Sequence, residues 1–282
     1  MHNVTNRIKE ITQPKGGYIK PSMFEVISLG DGIEALHEEE NVHASVIGMT
    51  VDYLTRFMMT GDKEDAFRIS LWGAMCAVNE GYPSAAIYAT QLFDLITGLD
   101  DASIIAALKL TTFDVWYRCP ARAFQAKSAV DTNPDEKTIE NVRAMVERGV
   151  VFFKKYGPVT ADGFTFEPEG LGSQYENWRW NGTTDFGGYT RTVSGGDGDF
   201  LTEDTLWDFK VSKSKITSAH TLQLMMYYIM GQHSEQCIFK GIDKVGVFNP
   251  RRNEVYLLNI SSIPEETIKI IEKDVLCYQN AS

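Results

Sequence analysis

The periodicity of the apolar residues changes once along this 282-residue chain, close to Gly157, and this change constrains the fold more than any other feature. Before it, from about residue 33 to residue 155, apolar residues recur every three or four positions, as on one face of a helix. After it, short segments of β-like composition dominate. The sequence therefore predicts an α+β protein with helices first and a sheet second.

Residues that favour helix termini mark the segments of the first half. Gly61 and Gly81 each follow an apolar-periodic segment, in the position where glycine commonly ends a helix. Asn133 and Pro134 stand at the start of a further segment, as helix-start residues. We therefore expect residues 31–132 to form a helical subdomain.

The second half is predicted to be a sheet flanked by helices. β-like segments lie between residues 163 and 212, and a helix follows from about Ser218 to Met230. A hairpin with its turn at residues 249–253 and a final amphipathic helix complete the chain. The order β-β-β-α-β-β-α predicts a mixed sheet with flanking helices over residues 133–282.

Composition and charge exclude several classes of protein. The chain is 43% hydrophobic, enough for a sizeable core, and its formal net charge of −11 argues against non-specific adhesion to nucleic acid or anionic membranes. No apolar run approaches the roughly 20 residues of a membrane span and no signal peptide is visible, so we expect a cytoplasmic protein without membrane binding. The polar residues 1–30 are predicted to be irregular.

One predicted hairpin, within residues 195–215, concentrates acidic side chains. If residues 202–205 form its loop, pairing outward sets Asp199 opposite Asp208 and Asp197 opposite Lys210. Opposed side chains of an antiparallel pair share one face of the sheet, where like charges destabilise each other. The two aspartates therefore need a compensating positive charge.

A divalent cation is the natural candidate for that charge. Oxygen-only ligands favour a hard ion such as Mg²⁺ or Mn²⁺. Such an ion can polarise a phosphoryl oxygen and lower the pKa of bound water, while Lys210 orients that water or stabilises the charge that develops in the transition state. This set of groups suits hydrolysis of a phosphodiester.

The helix that follows the hairpin carries a polar stripe on an otherwise apolar surface. Gln223 and Tyr227 are four residues apart and share a face, and His220 lies one turn earlier on that face. Buried polar tips need hydrogen-bonding partners, so this stripe is expected to face the hairpin.

Three motifs in this region, "GGDGDFL", "WDFK" and "LQLMMY", together resemble the PD-(D/E)xK nuclease superfamily. The resemblance is to its RecB-like branch, in which a Gly-x-x-Asp strand, an Asp/Glu-x-Lys strand and a Gln-x-x-x-Tyr helix follow in this order. It covers roughly residues 136–282. It implies a mixed-sheet nuclease core, with the preceding helices as an N-terminal subdomain.

The resemblance also implies roles for individual residues. Asp199 and Asp208 correspond to the metal ligands, and the backbone carbonyl of Phe209 corresponds to a further ligand. Lys210 corresponds to the catalytic lysine. The helix pair that supports the site and the nucleic-acid backbone is Gln223 and Tyr227. The implied cofactor is Mg²⁺ or Mn²⁺.

Further metal ligands are less well defined by the sequence. The family often has a histidine in a Gly-x-x-x-His pattern on an early helix, but here Asp52 stands four residues after Gly48, with His43 as a neighbouring alternative. Both could equally be polar residues of a solvated helix start. Related families also use a glutamate on the helix before the sheet as a metal ligand, which would be Glu140 or Glu147 here. A charged stripe on a helix is, however, commonly its solvent-exposed face.

Some RecB-like nucleases hold an iron–sulfur cluster with four cysteines. This chain lacks the close spacing that such a cluster needs, so we expect none. The four scattered cysteines are Cys76, Cys119, Cys237 and Cys277.

Candidate contacts to nucleic acid surround the motifs. Basic residues beside the hairpin could contact phosphates or could simply be solvated: Lys213, Lys215, Arg251 and Arg252. Aromatic residues before it could stack on bases, although core packing is the commoner use of such residues: Trp178, Trp180 and Tyr189.

The sequence thus predicts a metal-dependent nuclease whose partner is nucleic acid, DNA in preference to RNA. Two other functions stay open: a non-catalytic nucleic-acid-binding or assembly module on the same fold, and a toxin or defence effector that cuts RNA when a partner activates it. The helical subdomain is a candidate surface for a protein partner. The oligomeric state is not predicted.

Overall fold

The protein is an α+β structure built on one mixed, open sheet flanked by helices. The computed structural model describes residues 2–30, 35–166 and 186–278. Its element order, helices first and most strands later, is the one that the sequence predicts.

The described residues contribute seven strands to the sheet. They are β1 (His2–Asn3), β2 (Glu25–Ser28), β3 (Ala161–Phe166), β4 (Val193–Leu201), β5 (Thr205–Phe209), β6 (Lys244–Asn249) and β7 (Glu254–Asn259). Hydrogen bonds join them in the order β1-β4-β5-β6-β7-β2, and β3 pairs with β4. The β1–β4 and β5–β6 pairs are parallel and the others are antiparallel.

The helices formed by the described residues lie mostly in the first half of the chain. They are α1 (Val4–Glu10), α2 (Ala44–Thr60), α3 (Lys63–Ala66), α4 (Arg68–Asn79), α5 (Ser84–Leu95), α6 (Asp101–Thr111), α7 (Asp114–Arg118), α8 (Pro120–Ala123), α9 (Glu136–Tyr156), α10 (Ser218–Gln232) and α11 (Glu265–Ile270), which continues as a π-helical turn over Ile271–Leu276.

The ends of two helices test the predicted caps. Gly61 ends α2 with a φ of 73°, a left-handed conformation that glycine adopts without steric cost, and this cap is confirmed. Helix α9 begins later than predicted. Its N-cap is Asp135, not the Asn133–Pro134 pair, because the Asp135 side chain accepts a hydrogen bond from the backbone N–H of Thr138.

The prediction that residues 1–30 are irregular is wrong. This segment contains α1 and two strands, and β2 forms the end of the sheet beside β7, with Val26 opposite Tyr256. Val4 at the start of α1 is fully buried. Long-range pairing stabilises these short elements, and local periodicity does not reveal it.

Helix α9 packs against both the sheet and α2. Near its C-terminal end, Phe152 is fully buried and stacks on Phe248 with ring centroids 4.2 Å apart, and it meets Trp207 edge to face at 5.0 Å. One turn earlier, Gly149 allows close approach to α2, because a Cβ there would lie 2.7 Å from Thr55 Cγ2. Helix α2 is thereby held close to the sheet.

Candidate active site

The acidic hairpin has the predicted loop and register. Leu201 pairs with Leu206 and Phe200 with Trp207, so residues 202–205 form the connection. The pairing of β4 with β5 comprises these two residue pairs, whereas β4 stays paired with β3 as far as Gly196. The predicted opposition of Asp197 and Lys210 is not formed, because the β4–β5 ladder ends at the Phe200–Trp207 pair; on its other edge, Asp197 pairs with Thr165 of β3.

Asp199, Asp208 and Lys210 nevertheless come together where the two strands part. The Asp199 Oδ2 atom accepts a hydrogen bond of 2.7 Å from the backbone N–H of Phe209. Asp208 is 3% exposed, and its Oδ1 atom lies 2.9 Å from Lys210 Nζ. The lysine side chain is 30% exposed, so this ion pair joins a buried carboxylate to a more accessible ammonium.

Burial and charge shift the pKa values of this cluster. Burial raises the pKa of Asp208 to about 6; the Lys210 ammonium opposes the shift, and the negative charge of Asp199 adds to it. Burial lowers the pKa of Lys210, but the charges of Asp208 and Asp199 outweigh this effect and hold it above its ordinary value. Lys210 is therefore an ammonium at neutral pH.

The cluster fits a hard divalent cation. Asp208 Oδ2 is buried and makes no hydrogen bond to the described residues, although a buried carboxylate oxygen normally has a partner. Among the residues with described placement, no group of three His, Cys, Asp or Glu side chains is arranged for a metal. Two carboxylates are enough for Mg²⁺, which usually keeps several waters. The donors that could hold it are the Asp199 and Asp208 carboxylates, with the Phe209 carbonyl at the same strand end.

A cavity of about 820 Å³ opens beside these carboxylates. Its sheet side includes Asp162 and Asp199, and its other side is formed by residues of α2, α4 and α7. Asp208 and Lys210 are not among the described residues that line it. The helices of the first half therefore complete the site and add carboxylates to those on the sheet, among them Asp52 of α2.

Gln223 and Tyr227 of α10 line the same cavity, on the side expected from the sequence. Gln223 Nε2 donates a hydrogen bond of 3.2 Å to the Tyr227 hydroxyl. Tyr227 is 3% exposed, and burial, together with the nearby charges of Asp208, Asp199 and Asp197, raises its pKa. His220 caps α10 by accepting from the Thr217 N–H.

Asp52, one of the two weaker metal candidates, also lines the cavity. Burial raises its pKa; Arg56 opposes this shift, and Asp199 and Asp162 add to it. The Arg56 guanidinium lies 3.0 Å from Asp52 Oδ1 and also pairs with Asp162 of β3. Arg56 thus pairs with two carboxylates at the edge of the site, and its single positive charge offsets part of their negative charge.

The alternative candidate, His43, is not brought to the cavity. It caps α2, where its Nδ1 accepts from the Ser45 N–H, and it precedes Asp52 by roughly 13 Å along the helix axis. Glu140 and Glu147 are exposed on α9, and neither lines the cavity. Glu140 pairs with His37 at 2.6 Å.

The structure gives other partners to several predicted nucleic-acid contacts. Arg251 forms a buried ion pair with Glu40 at 2.8 Å, and Arg252 pairs with Glu254 at 2.7 Å. Of the remaining basic residues, Lys213 donates a hydrogen bond from its Nζ atom to the backbone carbonyl of Glu38, and Lys215 is exposed. Tyr189 packs against the main core. Trp178 and Trp180 lie outside the described residues.

Several residues that line the cavity belong to no sequence motif that would mark them as functional. Arg56, Trp72, Tyr117 and Arg118 sit in segments read only as amphipathic helices, and Asp162 precedes the predicted motifs. The adjacent "WYR" at residues 116–118, aromatic and basic residues at the end of a short helix, is the pattern that could have indicated a binding surface.

Comparison of the chain with protein-family models, with curated proteins and with solved structures finds no match. In the part of the chain that the structure describes, no helix combines the length and apolar character needed to cross a membrane.

Proposed function

We propose that this protein is a metal-dependent nuclease of the PD-(D/E)xK superfamily, of its RecB-like branch, which hydrolyses phosphodiester bonds in DNA in preference to RNA. The observation that carries the proposal is the meeting of Asp199 and Asp208 from two strands, with Lys210 paired to Asp208. Gln223 and Tyr227 line the cavity beside them, and this proximity supports the proposal.

Asp199 and Asp208 would hold Mg²⁺ or Mn²⁺, with the Phe209 carbonyl as a further donor. When bound, the ion supplies Lewis-acid polarisation and a more acidic water. Two observations support this assignment: the negative charge of the carboxylates, and the lack of a hydrogen-bond partner for Asp208 Oδ2 among the residues that the structure describes.

Lys210 supplies positive charge rather than a base. In hydrolysis the water oxygen bonds to phosphorus and gives up a proton to solvent, the bond from phosphorus to a sugar oxygen breaks, and the departing oxygen takes up a proton from solvent. Negative charge grows on the phosphoryl oxygens as this happens. An ammonium held by Asp208 can stabilise that charge or orient the water through its N–H groups, because its raised pKa keeps it protonated.

The direct test is incubation of the purified chain with linear duplex, circular duplex and single-stranded DNA, and with RNA, each in Mg²⁺, Mn²⁺ or EDTA. We expect metal-dependent cleavage of at least one DNA substrate, none in EDTA, and none by a matched Asp208→Asn protein. Binding without cleavage under every condition would contradict the proposal and favour the non-catalytic module. Cleavage of RNA alone would favour the RNA-cutting effector.

Gln223 is expected to matter more for cleavage than for folding. Gln223→Ala removes the hydrogen bond to Tyr227, which costs about 1 kcal/mol and lowers Tm by about 2–4 °C. Because the Gln223 side chain also lines the cavity, we expect kcat/KM to fall by about ten- to a hundredfold. Steady-state kinetics and thermal melting measure the two effects.

Gln232→Ala is the matched control. Gln232 is on the same helix and donates a comparable hydrogen bond, 3.1 Å to the Phe239 carbonyl, but it does not line the cavity. It should lose stability with unchanged specific activity. The same behaviour from Gln223→Ala would identify Gln223 as purely structural.

A further inference from the structure

The cavity is lined by the sheet on one side and by helices of the first half on the other. The sheet side presents carboxylates, among them Asp162, Asp197 and Asp199. The helical side carries charges of both signs, Asp52, Asp65, Arg56 and Arg68. It also presents two aromatic rings and a further cation, Trp72 of α4 with Tyr117 and Arg118 of α7, which we call the stacking wall. A protein of net charge −11 that binds a polyanion must do so through such a local concentration of favourable groups.

The rings of the stacking wall are half-buried rather than part of the core. The Trp72 and Tyr117 centroids are 5.6 Å apart with the planes at 50°, and the Arg68 guanidinium carbon lies 5.3 Å from the Trp72 ring centroid. Aromatic side chains and arginine planes at a groove are the groups on which unpaired bases stack.

Arg118 is anchored through two of its guanidinium nitrogens and is nevertheless half exposed. Its Nε lies 3.4 Å from Asp114 Oδ2 and its Nη2 donates to the Tyr53 hydroxyl at 3.1 Å, yet its side chain is 52% exposed. Asp114 is fully buried and also accepts from Ser70 and Tyr53, each at 2.5 Å. This network holds the guanidinium at the cavity, where an N–H group can reach a phosphate oxygen.

The size and chemistry of the cavity select among nucleic acids. About 820 Å³ is the volume of a site for a drug-sized ligand, which matches a few nucleotides and not a length of duplex. In a duplex the base faces are covered by neighbouring pairs, and exposing one costs a few kcal/mol. A wall that binds base faces therefore favours strands whose bases are already unpaired.

We propose that the stacking wall binds unpaired bases of a strand whose phosphate lies at Asp199 and Asp208, so that the protein is selective for single-stranded nucleic acid over duplex. This inference rests on the proposed function for the role of the carboxylates. The stacking itself is shared by DNA and RNA, since every base has an aromatic face.

The test measures binding in Ca²⁺, a hard cation that can lie between the two carboxylates and a phosphate, and repeats it in EDTA, where metal-dependent cleavage does not enter. Labelled octamers of dT and of rU, and a blunt duplex hairpin, are titrated with the full chain and followed by fluorescence anisotropy. We expect both single strands to bind at least about tenfold more tightly than the duplex. Trp72→Ala should weaken single-strand binding by about 5- to 100-fold, and Trp72→Phe should restore most of it.

Tyr82→Ala is the matched control. Tyr82 is 48% exposed and packs on Trp116 with centroids 5.1 Å apart, but it lies outside the cavity lining, so its loss should not change binding. Tyr117→Ala provides a second variant if Trp72→Ala does not fold. Equal affinity for duplex and single strand, or Trp72→Ala and Tyr117→Ala proteins that bind like wild type, would overturn the inference even if cleavage is observed. Single-strand binding that depends on Trp72, in a protein that cuts nothing, would instead count against the nuclease alone.

Discussion

Lys210→Ala is expected to slow cleavage by at least about a hundredfold while leaving Mn²⁺ and nucleic-acid binding nearly intact. Lys210 pairs with Asp208 at 2.9 Å but is not a metal ligand, so its removal leaves both carboxylates in place. What is lost is the ammonium that stabilises developing charge, and removing one such group typically costs about 10²–10³ in rate. Single-turnover cleavage measures the chemical step, and calorimetry and gel shift measure binding.

Lys240→Ala is the control for this experiment. Lys240 is an exposed lysine after α10, outside the cavity lining, and its replacement should leave the rate unchanged. A Lys210→Ala protein that cleaves within about threefold of wild type would exclude the electrostatic role. One that loses Mn²⁺ binding would show that Lys210 orders the metal ligands instead.

Asp208→Asn is expected to abolish metal binding and cleavage together and to stabilise the metal-free protein. In the folded state the pKa of Asp208 is about 6, above its unfolded value, so this group favours folding fully below about pH 4 and loses that contribution as pH rises through 6. At pH 8 the metal-free wild type must hold a buried charge at this position, whereas the amide of the variant is neutral. The gain should be on the order of 1–3 kcal/mol above pH 7 and should shrink near pH 4.

Denaturant unfolding in EDTA at several pH values measures this gain, and Mn²⁺ titration measures the lost affinity. Asp94→Asn, an exposed carboxylate of the helical half, should show neither effect. A stability difference between Asp208→Asn and wild type that does not change with pH would contradict the assigned burial. Retained Mn²⁺ affinity would contradict its role as a ligand.

Both predictions depend on the same electrostatic arrangement of Asp199, Asp208 and Lys210. Asp208 is buried beside Asp199, an arrangement that costs stability when no cation is present and that Lys210 offsets only in part. Such unfavourable electrostatics persist where a fold supports them, and they cluster at functional sites. The tight packing of Phe152 between α9 and the sheet supplies support of this kind.

The element order and the hairpin register were accessible to local reasoning. Apolar periodicity distinguishes helix from strand, and a glycine such as Gly61 ends a helix by its own backbone freedom. The loop at residues 202–205 sets the Leu201–Leu206 register and so brings Asp199 and Asp208 toward each other. The Gln223–Tyr227 pair on one face follows from helical geometry alone.

Tertiary structure decided what depends on residues far apart in the chain. It placed β2 beside β7, chose Asp52 over His43 for the cavity, and brought Arg56 to Asp162 across more than a hundred positions. These outcomes depend on how helices pack on the sheet, and packing energies are collective properties of many side chains that no short pattern encodes. The sequence by itself determined the motifs and their local geometry, whereas only the packing of the helical half against the sheet enclosed a cavity that Asp199, Gln223 and Tyr227 line.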